Sequence, residues 1–132
     1  MVETWDDLQD YALLDPDTEV YCSEVVDFVS EWRCFLLYGR VIGIQYYYGN
    51  QDAHYDRAII DAAVSAFPNM PAGCALDFGV TSDGRTLLIE MNDGYSLGTY
   101  GLEDTLYARL LSARWAELNH TRDALMDMPL PE

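Results

Sequence analysis

Apolar and polar residues along this chain form four short runs that are typical of β-strands. Two runs flank Gly39-Arg40 and two more flank Asp83-Gly84; they are residues 31–38 (EWRCFLLY), 41–48 (VIGIQYYY), 74–81 and 85–91. Each pair of runs predicts a β-hairpin, and Asp-Gly is a preferred centre for a two-residue turn. The pattern therefore predicts a mainly antiparallel sheet built from two hairpins.

Two further segments repeat apolar residues every three or four positions, which indicates helices packed on that sheet. The first is capped by Asn50 or Asp52 and runs to about Phe67, and the second runs from Glu103 to about Leu118. In the second helix the spacing predicts five inward-facing side chains, which are Leu106, Leu110, Leu111, Trp115 and Leu118, and directs Arg109 and Arg114 outward or toward a ligand. These elements predict an α+β fold.

The length of 132 residues predicts one domain. We divide it into an acidic, helical lead-in over residues 1–19, a core over residues 20–118 and a tail over residues 119–132. The lead-in is predicted to be helical because apolar residues recur every three positions from Val2 to Tyr11, with acids between them.

The second hairpin carries the clearest candidate chemistry. If Asp83 and Gly84 are the central turn residues, Asp77 lies directly opposite Glu90 and Ala75 lies opposite Asn92. The other face then pairs only apolar residues, so it is predicted to be the core face: Leu76, Phe78 and Val80 against Met91, Ile89 and Leu87. Two carboxylates at opposed positions repel each other unless a shared proton, an arginine or a cation lies between them.

A cation is one of these three solutions. Asp77, Glu90 and Asn92 supply only oxygen ligands, which suits magnesium or manganese completed by phosphate oxygens and water. The small residues Ala75 and Gly79 would leave room for a bulky ligand beside the acids. The competing interpretation is an acidic pair on a solvated outer face, with Arg33 or Arg85 as its partner.

Charge changes the picture of possible partners. The chain has 23 acidic residues and seven basic ones, all arginine, for a formal net charge of −16, and ten of the acids precede Arg33. Such a surface repels nucleic acid and attracts cations or a basic protein. No apolar run is long enough for a membrane span, so we expect a cytoplasmic protein without membrane contact. Three cysteines without ligand spacing predict buried, reduced thiols.

Three strings resemble ATP-grasp proteins. The sequence ALDFGV (residues 75–80), followed by LLIEMN (87–92) and DGYSLG (93–98), is similar to the metal-binding end of that superfamily, where an Asp is followed on the next strand by Glu-x-Asn. Residues 21–26 (YCSEVV) resemble its adenine hinge, and residues 30–35 (SEWRCF) resemble its arginine-bearing strand. The resemblance covers residues 20–118 and points to a bacterial and phage branch whose carboxy-terminal half has this form.

The resemblance implies descent from a carboxylate–amine ligase, in which ATP phosphorylates a carboxylate and a nucleophile displaces the phosphate. It implies a metal site that holds Mg²⁺ or Mn²⁺ against the ATP phosphates, formed by Asp77, Glu90 and Asn92. Arg33 would be the catalytic residue that steadies the γ-phosphate or the acyl phosphate. The adenine and ribose would meet Ser23, Glu24 and Val25, and the carboxylate substrate would face Asp93, Gly94, Tyr95 and Ser96.

ATP-grasp ligases also use a mobile lid and phosphate-binding lysines in an earlier portion, and no residue before Val20 matches these. We therefore expect ATP binding to be weak or dependent on a complementary chain or a homodimer partner, and ligation to be absent from the isolated chain. The alternative function is an acidic binding protein. In that role, for example as a phage anti-defence protein, it would mimic nucleic acid and inhibit a basic nucleic-acid-binding partner.

Overall fold

The computed structural model describes residues 4, 6–7, 15, 17–19 and 23–129. The predicted lead-in helix lies mostly outside the described residues. The regular elements in chain order are β1 (Phe28–Leu37), β2 (Arg40–Gly49), α1 (Arg57–Ala66), β3 (Gly73–Thr81), β4 (Thr86–Asp93), a 3₁₀ turn (Gly94–Ser96) and α2 (Asp104–Leu118). The strands form one antiparallel sheet in the order β2-β1-β3-β4, so the predicted α+β class is confirmed.

The helices cover opposite faces of the sheet. On one face, α1 packs through Ile60 against five buried side chains: Cys34, Leu36, Cys74, Leu76 and Phe78. On the other face, α2 packs through Leu110 against Phe35 and Ala75. This alternation along β1 and β3 follows from the two-residue period of a strand. Because both faces of the central strands are covered, β3 is buried over its whole length.

The first hairpin turns one residue earlier than predicted. Its two turn residues are Tyr38 and Gly39, with φ angles of 49° and 72°, and Leu37 pairs with Arg40. Two consecutive left-handed residues are the geometry of a type I′ turn, which matches the twist of the flanking strands. Arg40 therefore begins β2 instead of completing the turn.

The second hairpin also departs from its predicted turn. The Gly84 N–H donates to the Thr81 carbonyl at 2.9 Å, and Gly84 has a φ of 85°, so the reversal is centred on Ser82 and Asp83. The register near the turn is consequently one residue off, with Phe78 opposite Leu88. A bulge at Ile89 restores it, and Asp77 pairs with Glu90 as predicted. The predicted apolar pairs closest to the turn were wrong for this reason.

Helix α1 is capped by a later residue than predicted. The Asp56 carboxylate accepts the Ala58 N–H at 2.8 Å, and the Asp56 N–H donates to Thr86 Oγ1 at 2.7 Å. Asn50 instead accepts the Asp52 N–H at 3.0 Å within its own turn. Asn and Asp side chains compete for backbone donors in this way, which keeps the chain out of a helix. The predicted caps Asn50 and Asp52 were therefore wrong.

Helix α2 begins as predicted but turns a different face inward. Glu103 caps it by accepting the N–H groups of Thr105 and Leu106, each at 3.0 Å. Its buried side chains are Arg109, Leu110, Ala113 and Ala116, whereas Trp115 is 68% exposed. A Cβ on Gly73 would lie 2.4 Å from the Leu110 carbonyl oxygen. This close approach of helix to strand favours small residues on the contact face, so the prediction of an inward Trp115 was wrong.

The chain beyond α2 folds back on the first hairpin. The buried carboxylate of Asp123 accepts bonds from the Tyr38 hydroxyl at 2.7 Å, the Ser112 hydroxyl at 2.5 Å and the Leu125 N–H at 3.0 Å. Burial alone would raise the pKa of Asp123, but these hydrogen bonds outweigh it and leave the pKa below its ordinary value. An open groove of about 550 Å³ lies beside it, between Met70 and Met126.

The thiols of Cys34 and Cys74 are free and buried, as predicted. Burial raises the pKa of Cys34 to about 12 and that of Cys74 to about 11, so both remain protonated and unreactive at neutral pH. Cys22 lies outside the described residues. Neither helix in the described part of the chain could cross a lipid bilayer.

Candidate functional site

A polar row crosses the sheet on the face that α2 only partly covers. The strand register places four side chains directly opposite one another, in the order Gln45, Arg33, Asp77 and Glu90. Residues paired across neighbouring strands point to the same face. Asn92 lies two residues after Glu90 and shares that face. The fold therefore brings together the four predicted site residues Arg33, Asp77, Glu90 and Asn92.

Arg33 and Asp77 form the buried centre of the row. The Arg33 Nε donates to Asp77 Oδ1 at 2.8 Å and its Nη2 donates to Oδ2 at 2.6 Å. Both side chains are less than a tenth exposed. Hydrogen bonding to Asp77 raises the pKa of Arg33 above its ordinary value. A bidentate pair of this kind is strong because charge and geometry match. Of the three predicted ways to relieve the repulsion at Asp77, the structure uses the arginine.

Asn92 links the two acids. Its Nδ2 donates to Asp77 Oδ2 at 2.9 Å and to Glu90 Oε1 at 3.1 Å. Glu90 is exposed, unlike Asp77. The acidic pair is therefore asymmetric: one carboxylate is fixed by a guanidinium under the surface, and the other is held by a neutral amide and faces solvent.

Glu31 is a third carboxylate on this face that the sequence interpretation missed. It lies two residues before Arg33 and opposite Gly79. Burial raises the pKa of Glu31, and the negative charges of Asp77 and Glu90 raise it further. The signal was present in the sequence, because residues two apart on a strand share a face.

Two tyrosines border the guanidinium, and they were also missed. The Arg33 Cζ lies 4.8 Å from the centroid of the Tyr47 ring and 4.9 Å from that of the Tyr100 ring. The two rings meet edge to face with centroids 4.7 Å apart. Distances below about 6 Å allow cation–π attraction. Tyr47 could be placed on this face from strand alternation, but Tyr100 comes from a loop whose path the sequence does not reveal.

The small residues near the acids serve packing and do not leave open space. Gly79 pairs with Leu87, and a Cβ there would lie 2.1 Å from the Phe28 ring, which covers this position. Ala75 is fully buried between Phe35 and Leu110. The prediction that Ala75 and Gly79 make room for a ligand was therefore wrong. Access to the acids is from the Glu90 side.

The predicted substrate loop is anchored at its start. Arg114 donates to both carboxylate oxygens of Asp93, at 2.7 and 2.5 Å, and this hydrogen bonding holds the pKa of Asp93 below its ordinary value. Gly94 is buried against β3, where a Cβ would lie 2.3 Å from the Gly73 carbonyl oxygen. Tyr95 and Ser96 are exposed. Only the second half of this loop can therefore meet a ligand without rearrangement.

The predicted adenine hinge lies at the turn end of the second hairpin. Ser23, Glu24 and Val25 are exposed residues ahead of β1, and Glu24 approaches Arg85 at 3.6 Å. Asp77 is four residues from the end of β3, which is roughly 13 Å along a strand. The hinge and the acids thus lie apart along the same sheet.

Known proteins share this sequence pattern and this fold. The sequence profile of an ATP-grasp domain, the second family of its clade, matches residues 1–110. The chain belongs to this ATP-grasp family. A search of curated proteins found no match. Two solved structures of Cdc123 from Schizosaccharomyces pombe, one of them C-terminally truncated, are similar at 18% identity, with TM-scores of 0.39 and 0.41. They match 97% of this chain, which spans about half of their length (53% and 54%).

ATP-grasp folds generally bind ATP and Mg²⁺, so the row must be tested against a magnesium ion. Two carboxylates and one amide, from Asp77, Glu90 and Asn92, lie within hydrogen-bond distance of a common centre, and such oxygen donors suit this metal. No three His, Cys, Asp or Glu side chains in the described part of the chain are grouped to hold a metal by themselves. The donor set of this ATP-grasp domain therefore fits an ion that nucleotide phosphates and water complete.

Proposed function

We propose that this ATP-grasp domain binds a magnesium–nucleotide complex on the sheet face that carries the Arg33 row. The supporting observation is the side-by-side placement of Asp77 and Glu90, with the Asn92 amide between them. An exposed carboxylate beside a buried one gives a cation both a place to enter and a fixed ligand. The ion would be Mg²⁺ or Mn²⁺, held by Asp77, Glu90 and Asn92.

When bound, magnesium would supply positive charge that neutralises the nucleotide phosphates. Arg33 is the only cationic side chain in the row and would hold a phosphate or acyl-phosphate oxygen, because a guanidinium donates two parallel hydrogen bonds. Asn92 orients both carboxylates and would turn its amide oxygen toward the ion. The Tyr47 and Tyr100 rings shield the guanidinium from water on one side.

The charge balance indicates how the nucleotide would bind. Five of the seven arginines already form ion pairs with neighbouring acids, namely Arg33, Arg57, Arg85, Arg114 and Arg122. The net charge of −16 then repels free nucleotide phosphates. Nucleotide affinity should therefore depend almost wholly on the divalent cation, and the two should bind together.

The remaining parts of a ligase site are assigned by the same proposal. The exposed segment Ser23 to Val25 would meet the adenine and ribose, and Tyr95 and Ser96 would meet a carboxylate substrate. Asp93 and Gly94 would hold that loop in place. Carboxylate–amine ligation would require phosphate-binding groups from a complementary chain or a second copy, because this chain contains no lysine.

The test is calorimetry and thermal unfolding with Mn²⁺, with and without a non-hydrolysable ATP analogue. We expect the ion to raise the melting temperature of the parent protein, and the analogue to bind only when the ion is present. Asp77→Asn combined with Glu90→Gln should abolish both effects.

A matched variant controls for the general negative field. Asp52→Asn with Asp104→Asn also removes two charges, but from exposed positions outside the row. It should leave both responses intact. If the two double variants lose ion binding equally, the ion is held by diffuse charge, and the proposed site is refuted.

A second candidate function is inhibition of a basic nucleic-acid-binding protein. It is favoured by the ten acids that precede Arg33, because those that the structure describes are exposed or half-buried. A pull-down against such proteins at rising salt distinguishes the two functions. Capture that weakens with salt, yet survives the Asp77 and Glu90 substitutions, would support this candidate. Capture of no basic protein even at low salt would reject it.

A further inference from the structure

The contacts of Arg33 suggest a role for residues beyond the predicted site. The guanidinium and the rings of Tyr47 and Tyr100, which we call the tyrosine pair, form a nearly equilateral triangle with sides of 4.7 to 4.9 Å. Its remaining hydrogen-bonding edge faces Asp77. Both rings are more than a third exposed, so they are not needed to fill the core.

Both rings are held by irregular backbone. Tyr47 is the extra residue of a bulge in β2, since Tyr46 pairs with Trp32 and Tyr48 pairs with Glu31. Bulges redirect a side chain at functional sites. Tyr100 has a φ of 46° in the left-handed region, which is costly for a residue with a side chain and persists only where other contacts hold it.

A glycine makes room for the second ring. A Cβ on Gly98 would lie 2.9 Å from the Tyr100 ring, so the ring rests directly on this glycine. The loop that precedes α2 thus combines a left-handed tyrosine with a glycine under its ring. Both features serve to keep Tyr100 beside Arg33.

We propose that the tyrosine pair positions the Arg33 guanidinium on Asp77 as an exchangeable counter-ion, which a divalent cation must displace to reach that carboxylate. This inference rests on the proposed metal site. Arg33 already donates to both oxygens of Asp77, so a cation cannot coordinate either oxygen without competing with it. A guanidinium next to a divalent cation is repelled, and Arg33 would then turn toward the phosphate side.

The proposal makes a prediction of unusual sign. Weakening the tyrosine pair should free Arg33 from Asp77 and therefore tighten cation binding. Tyr47→Leu with Tyr100→Leu removes two cation–π contacts, and the dissociation constant for Mn²⁺ should fall about five- to tenfold. Tyr47→Phe with Tyr100→Phe keeps both ring faces and should leave the constant unchanged. Tyr48→Leu is the matched control, because Tyr48 is an exposed neighbour without a contact to Arg33 in the described structure.

A second measurement follows Arg33 directly and does not depend on activity. The Nε–H of Arg33 should give a protected NMR signal in the metal-free protein, because it donates to Asp77 at 2.8 Å. Added Mg²⁺ should abolish that protection. In the leucine variant the signal should already exchange faster before Mg²⁺ is added.

The outcomes separate this inference from the proposed function. Tighter Mn²⁺ binding in the leucine variant, with the phenylalanine variant unchanged, supports the exchange. Equal or weaker binding in the leucine variant, while the parent binds Mn²⁺, overturns the inference and leaves the proposed metal site standing. Failure of the parent and of every variant to bind Mn²⁺ overturns both. Because both tyrosines are exposed, circular dichroism should show that the variants remain folded.

Discussion

The Arg33–Asp77 pair should be the strongest side-chain coupling in the described sheet. Each side chain is less than a tenth exposed, so removing one partner leaves a buried charge with little compensation. Arg33→Met would leave Asp77 with only the Asn92 amide as a donor, and Asp77→Leu would leave the guanidinium without its acceptor. Each single change should cost about 3–5 kcal/mol of the free energy of unfolding. The double variant removes both charges and should have a stability near that of the parent.

Urea unfolding of the parent, the two single variants and the double variant measures this coupling. We expect a coupling energy of at least about 3 kcal/mol that changes little between low and high salt, since buried pairs are poorly screened. The control is the Arg57–Asp61 pair, which has a contact of 2.8 Å but is more than half exposed at both residues. Its coupling should be about 0.5 kcal/mol and should vanish in salt.

The result has a clear point of failure. If the effects of Arg33→Met and Asp77→Leu add within about 0.5 kcal/mol, the two residues are energetically independent. The guanidinium would then not be the counter-ion of Asp77, and the argument for exchange with a cation would lose its basis. Single variants that are too unstable can be measured in a stabilising osmolyte, applied equally to all four proteins.

Three further predictions follow from other parts of the fold. Gly94→Ala should lower the urea midpoint by an amount that corresponds to about 1–3 kcal/mol, because its Cβ would meet the Gly73 carbonyl oxygen at 2.3 Å. Trp115→Ala should change stability by less than about 0.5 kcal/mol, whereas Trp32→Ala should cost about 3–5 kcal/mol, and acrylamide should quench only Trp115 strongly. Asp123→Asn should cost about 1–3 kcal/mol at neutral pH. Because the folded pKa of Asp123 is depressed, the parent loses this advantage as pH falls through that pKa, so unfolding curves of the two proteins should converge in acid. A difference that persists unchanged in acid would contradict the role of the ionised carboxylate.

The sequence predicts the Asp77–Glu90 pair correctly although it misplaces the turn. The preference of Asp-Gly for a two-residue turn gave one register, while Gly84 actually follows a turn centred on Ser82 and Asp83. Ile89 then adds one residue to β4 and restores the pairing. Local turn preferences do not reveal a bulge five residues away, because the bulge is set by packing across the sheet.

Other features depend on contacts that no local pattern encodes. The burial of Arg109 and the exposure of Trp115 reverse the helical face predicted from hydrophobicity, because the close approach at Gly73 favours small side chains. The position of Tyr100 over Arg33 depends on a left-handed loop residue. The choice of arginine over a cation or a shared proton was left open by the sequence, because strand spacing does not say which residue of β1 lies beside Asp77.

The bond between the Tyr38 hydroxyl and Asp123 joins residues 85 positions apart, which links the turn of the first hairpin to the segment after α2. Contacts of such long sequence separation close a large loop, so they usually form late in folding, after nearer elements have paired. We therefore expect this bond to be absent from the folding transition state. Its loss should leave the folding rate nearly unchanged and speed unfolding. The Asp123 contact would then set how long the folded domain persists, and the paired strands would set how quickly it forms.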